Sequence, residues 1–320
     1  MPAPITILVR APIGAGQLER IAQAAPDARV VTADEAKTNP TLWSEADVVF
    51  THHLKPERLH EAKKLRWIQT MGAGVEWLLA PEVIARKELT ITNASGVHAE
   101  PIAEHVFGLI LALARRLPTV LALQRESHWE PAKFQSVPTL AGATLGILGL
   151  GAIGRHIAAI GAAFHMRVIG MRRGTTPVSN VERLYSPEQL PELLGEAHYV
   201  INALPLTPTT RRLIGPEQFA AMRGDAIFIN IGRGGTVQTD ALVTALREKR
   251  IGGAGLDVTD PEPLPSDHPL WSLDNVLITP HYSGGRPGYA ARVTDIFLRN
   301  LAKYRAGEPL ENVVDAHAGY

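Results

Sequence analysis

Residues 144–171 read TLGILGLGAIGRHIAAIGAAFHMRVIGM: an apolar strand, a glycine-rich turn, a helical pattern and a second apolar strand, in that order. This order predicts a β-α-β unit with its turn at the carboxyl end of the first strand. The turn carries glycines at 149, 151 and 154, in the spacing G-x-G-x-x-G. The first position wants glycine for a tight turn, the second so that backbone can approach a pyrophosphate, and the third for close packing of helix on strand. The helix then offers unpaired N–H groups and the positive end of its dipole to phosphates. Gly149, Gly151, Ala152, Ile153 and Gly154 are therefore the expected cradle. Alone the motif is weak, because a chain with 28 glycines produces accidental matches. Its position between strand and helix is what argues for a dinucleotide.

The same alternation runs through the chain. ITILV (5–9), DVVF (47–50), RWIQT (66–70) and LTIT (89–92) are short Ile- and Val-rich runs between helical patterns, and they predict a first α/β layer. A single long helical pattern follows from Glu100 to about Arg125, and then a second strand series begins. Its members are ATLGILG, MRVIGM, YVINAL, AIFINI, GGAGLDV and NVLITP, enough for one doubly wound parallel sheet. After His281 the pattern returns to helix over roughly 287–306. The layout predicts a dinucleotide-binding Rossmann domain, 100–285, inserted into a smaller flavodoxin-like α/β substrate domain made of 1–99 and 286–320.

Composition narrows the partners. Thirty-two basic residues balance thirty-two acidic ones, so no net field draws a polyanion and nucleic acid is not expected. The absence of cysteine removes disulfides, thiolate metal sites and a cysteine nucleophile. The opening MPAPITILVR lacks the basic segment and long apolar region of a signal peptide. The longest apolar run, VFGLILALA at 106–114, falls well short of the roughly 20 residues that span a bilayer and reads as a core helix. A soluble cytoplasmic protein without a membrane partner is expected.

The strand after the phosphate loop ends in MRR, where an acid would accept the ribose hydroxyls of NAD. Arg172 stands there instead, with Arg173 beside it. A guanidinium cannot accept hydroxyl hydrogens, but it binds a phosphate in bidentate fashion and stacks on adenine. The cofactor indicated is NADP, with NAD as the alternative. The competing reading is a pair of solvated arginines, of which Arg115–Arg116 and Arg211–Arg212 are further instances.

Three segments at predicted strand ends carry the remaining chemistry: INIGRGG (229–235), GLDVTDPEPLP (255–265) and ITPHYSGG (278–285). Ligands of open α/β sheets bind beyond the carboxyl ends of the strands. Arg233 offers a forked donor for a carboxylate and neighbouring carbonyl. Histidine exchanges protons near neutral pH, so His281 can protonate a carbonyl oxygen as hydride reaches the carbon. Glu262 beside the imidazole would favour its protonated form and orient it. Singly, each residue has an ordinary explanation as a loop cation, a solvated charge or a core histidine; together, on consecutive loops, they make a constellation.

LGILGLGAIG, INIGRGGTVQTDAL, GLDVTDPEPL and ITPH, in this order and spacing over nearly the whole chain, resemble the D-isomer-specific 2-hydroxyacid dehydrogenases. The resemblance implies a catalytic triad of Arg233, Glu262 and His281, and implies that Asp257 contacts the nicotinamide carboxamide. It also implies that LPLTPTT (204–210), with Leu204, Pro205 and Thr210, lies along the cofactor together with Ile231. The glycines of MGAGVEWL (71–78) allow N–H groups to converge on an anion, with an ordinary turn as the equal alternative on sequence alone. The family's substrate loop matches Ala73 and Gly74 here, with Arg233 and His281 completing the substrate contacts. Glu76 departs from an aspartate common in relatives.

The substrate of such a chain is a small 2-oxo or 2-hydroxy acid, with glyoxylate, hydroxypyruvate and bulkier acids all open. His52, Met71 and Tyr282 are pocket candidates, and equally packing residues. Trp129 resembles a tryptophan that some relatives send into a neighbouring subunit, and a homodimer through the long helix and residues 125–138 is the family expectation. No metal is expected: His98 and His105, if helical, lie about 10 Å apart, too far to share an ion. Two other readings stay open. One is a phosphite- or formate-type dehydrogenase, although Ala73 stands where the phosphite enzymes look to have lysine. The other is a dinucleotide-sensing protein similar to corepressors of this family.

Overall fold

The computed structural model describes residues 4–316; the extremes of the expected substrate domain, 1–3 and 317–320, lie outside the described residues. The chain divides into two compact units, one running through Val97 and resuming at Arg286, the other His98–Gly285.

The first unit holds β1 (Thr6–Val9), β2 (Arg29–Thr32), β3 (Val48–Thr51), β4 (Trp67–Thr70) and β5 (Thr90–Thr92). They form a parallel sheet in the order β2-β1-β3-β4-β5, the flavodoxin-like order. Both faces are covered, so alternate residues of one strand enter different cores. Leu8, Val49 and Ile68 lie in one, and Ile7, Val48, Phe50 and Trp67 in the other. The helix Tyr289–Ala306 covers the second face, where Phe297 stacks on Phe50 at 4.6 Å and on Trp67 at 5.1 Å between centroids. The C-terminal segment thus belongs to the sheet the chain began with. β2 goes beyond the sequence expectation of four strands: RVVT opens on an exposed arginine at the sheet edge and gives only a short apolar signal.

The second unit holds β6 (Thr144–Leu148), β7 (Arg167–Met171), β8 (Arg183–Tyr185), β9 (Tyr199–Asn202), β10 (Ile227–Asn230), β11 (Gly253–Leu256) and β12 (Val276–Ile278). All pairings are parallel and the order is β8-β7-β6-β9-β10-β11-β12. Its first six strands follow the doubly wound order 3-2-1-4-5-6, and a seventh extends the edge. The order reverses between β6 and β9, which opens a crevice at their carboxyl ends. Val200 and Phe228 enter the core on one face of the sheet, Ile201 and Ile229 the core on the other. β8 was not expected from the sequence, because RLY is short and lies on the edge.

The long helix expected over 100–125 is two helices, Ala99–Ala114 and Leu117–Arg125, bent by 64°. Arg116 adopts a left-handed φ of 54°, and Pro118 sits in the first turn of the second helix, where a missing N–H is harmless. Val106, Phe107, Leu109 and Ile110 of the first helix are buried. Among the described residues no single helix is long and apolar enough to cross a membrane.

Candidate active site

β6 runs directly into Gly149, whose φ of +100° is strained for any other residue. A Cβ on Gly154 would fall 2.1 Å from the Gly149 carbonyl oxygen, so helix and loop can approach this closely only through glycine. At Gly151 the reverse holds: nothing lies within 4 Å of a Cβ position. Gly151 is the N-cap of the helix Ala152–Ala163, and no side chain caps it. Gly151 and Ala152 are exposed and Ile153 half-buried. The first N–H groups of the helix, which have no intrahelical partners, therefore meet open space, and the cradle fits a pyrophosphate.

Met171 carbonyl accepts the Gly149 N–H at 3.1 Å, which sets Arg172 one residue from the phosphate loop. Arg172 is half-buried; its N–H reaches Tyr185 of β8, and its Nη1 makes a long 3.4 Å contact with the Thr176 carbonyl. Arg173 is exposed. In another doublet, Arg115 and Arg116 likewise donate to backbone carbonyls, those of Pro138 and Lys133. Leu204 and Ile231 are buried at the ends of β9 and β10, where the Ile231 N–H donates to the Asn202 carbonyl. Thr210 folds its loop back, its hydroxyl donating to the Pro205 carbonyl at 2.6 Å.

Arg233, Glu262 and His281 follow β10, β11 and β12, three adjacent strands, so their loops emerge side by side. Asn202 and Asn230 pair across β9 and β10, with Asn202 Nδ2 donating to Asn230 Oδ1 at 3.0 Å and to Thr236 Oγ1 at 2.7 Å. Thr236 Oγ1 in turn donates to the Arg233 carbonyl at 2.6 Å. A buried polar network therefore fixes the Arg233 backbone from below. A Cβ on Gly234 would lie 1.9 Å from the Thr259 carbonyl oxygen, so this loop packs directly on the one that carries Glu262. Glu262 Oε1 and His281 Nδ1 are 2.6 Å apart, both side chains about half exposed. A carboxylate only accepts, so Nδ1 carries the hydrogen and Nε2 is the free working atom.

Asp257, at the end of β11, is 2% exposed. Its Oδ1 accepts the Thr279 hydroxyl at 2.7 Å and the Tyr282 N–H at 3.1 Å, and its Oδ2 accepts the Ser283 N–H at 3.0 Å. Burial pushes the carboxyl up, but these donors outweigh it and hold the pKa below the usual range. Burial lowers His105, against an opposing pull from Asp257; burial and then the Arg223 guanidinium lower His198, whose Nδ1 accepts the Thr144 N–H at 3.1 Å. A histidine whose folded pKa lies below its unfolded value stabilises the fold above the unfolded value, and the contribution fades as pH falls through the folded one. Melting temperature should accordingly drop as the pH falls below about 6.5. His105→Gln, which cannot titrate, should flatten that slope; a slope unchanged in calorimetric scans would remove His105 from the account.

In the first unit the loop after β4 turns its carbonyls inward. Met71 accepts from the Tyr289 hydroxyl, Gly72 from Thr70 Oγ1 and the Ala94 N–H, and Ala73 from Asn93 Nδ2. Among the described residues the N–H groups of Gly72, Ala73 and Gly74 have no protein partner, as an anion nest requires. Met71 is buried, whereas His52 and Tyr282 are exposed; Trp129 is 91% exposed. Sequence reading missed Asn93, Tyr289, Asn202, Asn230, Thr236 and Thr279. One signal was available, since YVIN and AIFIN both end in asparagine at the same register.

A phosphate cradle and a histidine–carboxylate pair beyond one parallel sheet are what a nicotinamide-dependent dehydrogenase requires. The family model of the D-isomer specific 2-hydroxyacid dehydrogenase NAD binding domain matches residues 107–283. The glyoxylate reductase of Aeropyrum pernix is 36% identical over 281 residues, which are 85% of this chain and 83% of that one. Among solved structures, the NADPH-dependent glyoxylate/hydroxypyruvate reductase of Sinorhizobium meliloti, in complex with NADP and sulfate, superposes with a TM-score of 0.86 at 27% identity, covering 99% of this chain and 100% of that one. A D-isomer specific 2-hydroxyacid dehydrogenase of Xanthobacter autotrophicus, in complex with NADPH and MES, gives 0.85 at 30% identity, with 99% and 100% covered. The chain belongs to the D-isomer specific 2-hydroxyacid dehydrogenase family and is an NAD(P)-dependent oxidoreductase.

Proposed function

We propose that the protein reduces small 2-oxo acids to D-2-hydroxy acids, with NADPH preferred over NADH. The observation that carries this reading is the 2.6 Å pairing of His281 Nδ1 with Glu262, on the sheet edge where the GLGAIG loop emerges. With Nδ1 held, Nε2 donates a proton to the substrate carbonyl oxygen. Arg233 holds the carbonyl and carboxylate through its forked donors, and the N–H groups of Ala73 and Gly74 suit a carboxylate. A bound nicotinamide dinucleotide supplies the hydride. Arg172 beside Gly149 suits the extra phosphate of NADP, which agrees with the NADP and NADPH bound by the two structural relatives. NADPH consumption with glyoxylate, hydroxypyruvate and phenylpyruvate tests the reading; tight cofactor binding without turnover on any of them would favour a sensing role instead.

We also propose a homodimer built on the bent helix and the arm that follows. Leu117 (44%), Val120 (37%), Leu121 (52%) and Trp129 are exposed apolar side chains within thirteen residues, a pattern expected of an association surface. Light scattering should report twice the 34.6 kDa chain mass; a single-chain mass at micromolar concentration refutes it.

A further inference from the structure

The helix Ala99–Ala114 and the segment that carries His281 meet at two histidines. His98 and His105 are seven residues apart, two turns, and so lie on one side of the helix. His105 Nε2 is 3.0 Å from Thr279 Oγ1. Thr279 gives its only hydroxyl hydrogen to Asp257 Oδ1, so its oxygen is the acceptor and His105 Nε2 is the donor. Asp257 then receives the N–H groups of Tyr282 and Ser283, the two amides immediately after His281. The His105 ring also meets Tyr282 edge-on, with centroids 5.0 Å apart. At the other end of the segment His98 Nδ1 donates to the Gly284 carbonyl at 3.0 Å. A Cβ on residue 284 would fall 2.8 Å from that nitrogen, so the glycine is what lets His98 approach.

His281 needs such support. Its φ of 51° lies in the left-handed region, which residues with a side chain seldom occupy. Its own N–H is fixed to the Asp257 carbonyl at 2.9 Å, so Asp257 anchors the histidine through main chain and carboxylate together.

We propose that His105 and His98 are positioning residues for the proton donor: they grip the 279–285 segment at its two ends, His105 acting through Thr279 and Asp257, and so set the place of the His281 imidazole. This deepens the proposed function and rests on His281 being its acid. The anchoring itself is readable without turnover.

The experiment compares Thr279→Val and His105→Leu with their conservative counterparts Thr279→Ser and His105→Gln, which keep a hydroxyl and an N–H donor. For each, kcat and KM with glyoxylate are measured, together with NADPH affinity by fluorescence and amide exchange over 279–285 by mass spectrometry. The relay predicts a kcat loss of about ten- to a hundredfold for the Val and Leu variants, because small misplacements of a reacting group cost that much. NADPH affinity should change less than kcat, since the phosphate cradle is untouched although Asp257 is expected to reach the nicotinamide carboxamide. Exchange at Tyr282 and Ser283 should accelerate, and the Ser and Gln variants should recover most of kcat. Equal losses in the conservative variants, unchanged exchange, or an effect confined to NADPH affinity would each overturn the proposal; the last would mean that Asp257 serves the cofactor directly. Should one apolar variant fail to fold, the other is compared with its counterpart. If the wild type turns over no 2-oxo acid while exchange responds as described, the functional reading has failed and the anchoring stands.

Discussion

His281→Asn is expected to lower kcat for 2-oxo acid reduction by about 10²–10⁴-fold, the usual worth of a positioned general acid. Asparagine keeps a polar group of similar reach and tolerates positive φ better than most residues, so the segment can keep its shape. The side chain is 49% exposed, and its loss opens no cavity. Affinity for NADPH should be nearly unchanged, because the GLGAIG cradle is built from β6 and the helix Ala152–Ala163. Glu262→Gln should cost less than the histidine, since it weakens the hold on Nδ1 without removing the acid. If His281→Asn reduced glyoxylate within a few-fold of wild type, the proton would have another source and the Glu262 pairing would have no catalytic meaning.

Arg172→Asp is expected to reverse cofactor choice. A charge-assisted hydrogen bond to a phosphate is worth roughly 1.5–3 kcal/mol, so kcat/KM with NADPH should fall about ten- to a hundredfold relative to NADH. The acid at that position can also accept ribose hydroxyls, which raises the NADH value and widens the change. Among the described residues the Arg172 side chain engages only the Thr176 carbonyl, at 3.4 Å, so little of the fold depends on it. A ratio unchanged by the substitution would mean that the two arginines are solvated and that cofactor choice lies elsewhere.

Much of this was legible in the sequence because it rests on local order. The strand–GLGAIG–helix–strand run follows the order a β-α-β unit needs, and Gly149 and Gly154 each occupy positions where a side chain is strained or excluded. The positions of Arg233, Glu262 and His281 were legible because each follows an apolar strand, whereas their expected roles came from the family resemblance. The edge strands β2 and β8 did not, since each is short and opens on an exposed arginine that hides the period of burial. The bend at Arg116 was masked by helix-compatible residues on both sides, although Pro118 was its visible sign. The supporting shell was the least legible. Asn202, Asn230, Thr236, Thr279 and His105 matter through partners 22 to 174 residues away, and apart from the asparagines that end YVIN and AIFIN no short-range pattern marks such pairs.

Isotopic labelling follows the transferred hydrogen itself. Phenylpyruvate reduced with NADPH deuterated at the transferring C4 position should give D-phenyllactate with one deuterium at C2, in an amount that matches the cofactor oxidised. A product of the L configuration contradicts D-specific reduction, and oxidation of the cofactor with no deuterium at C2 contradicts hydride transfer at this site.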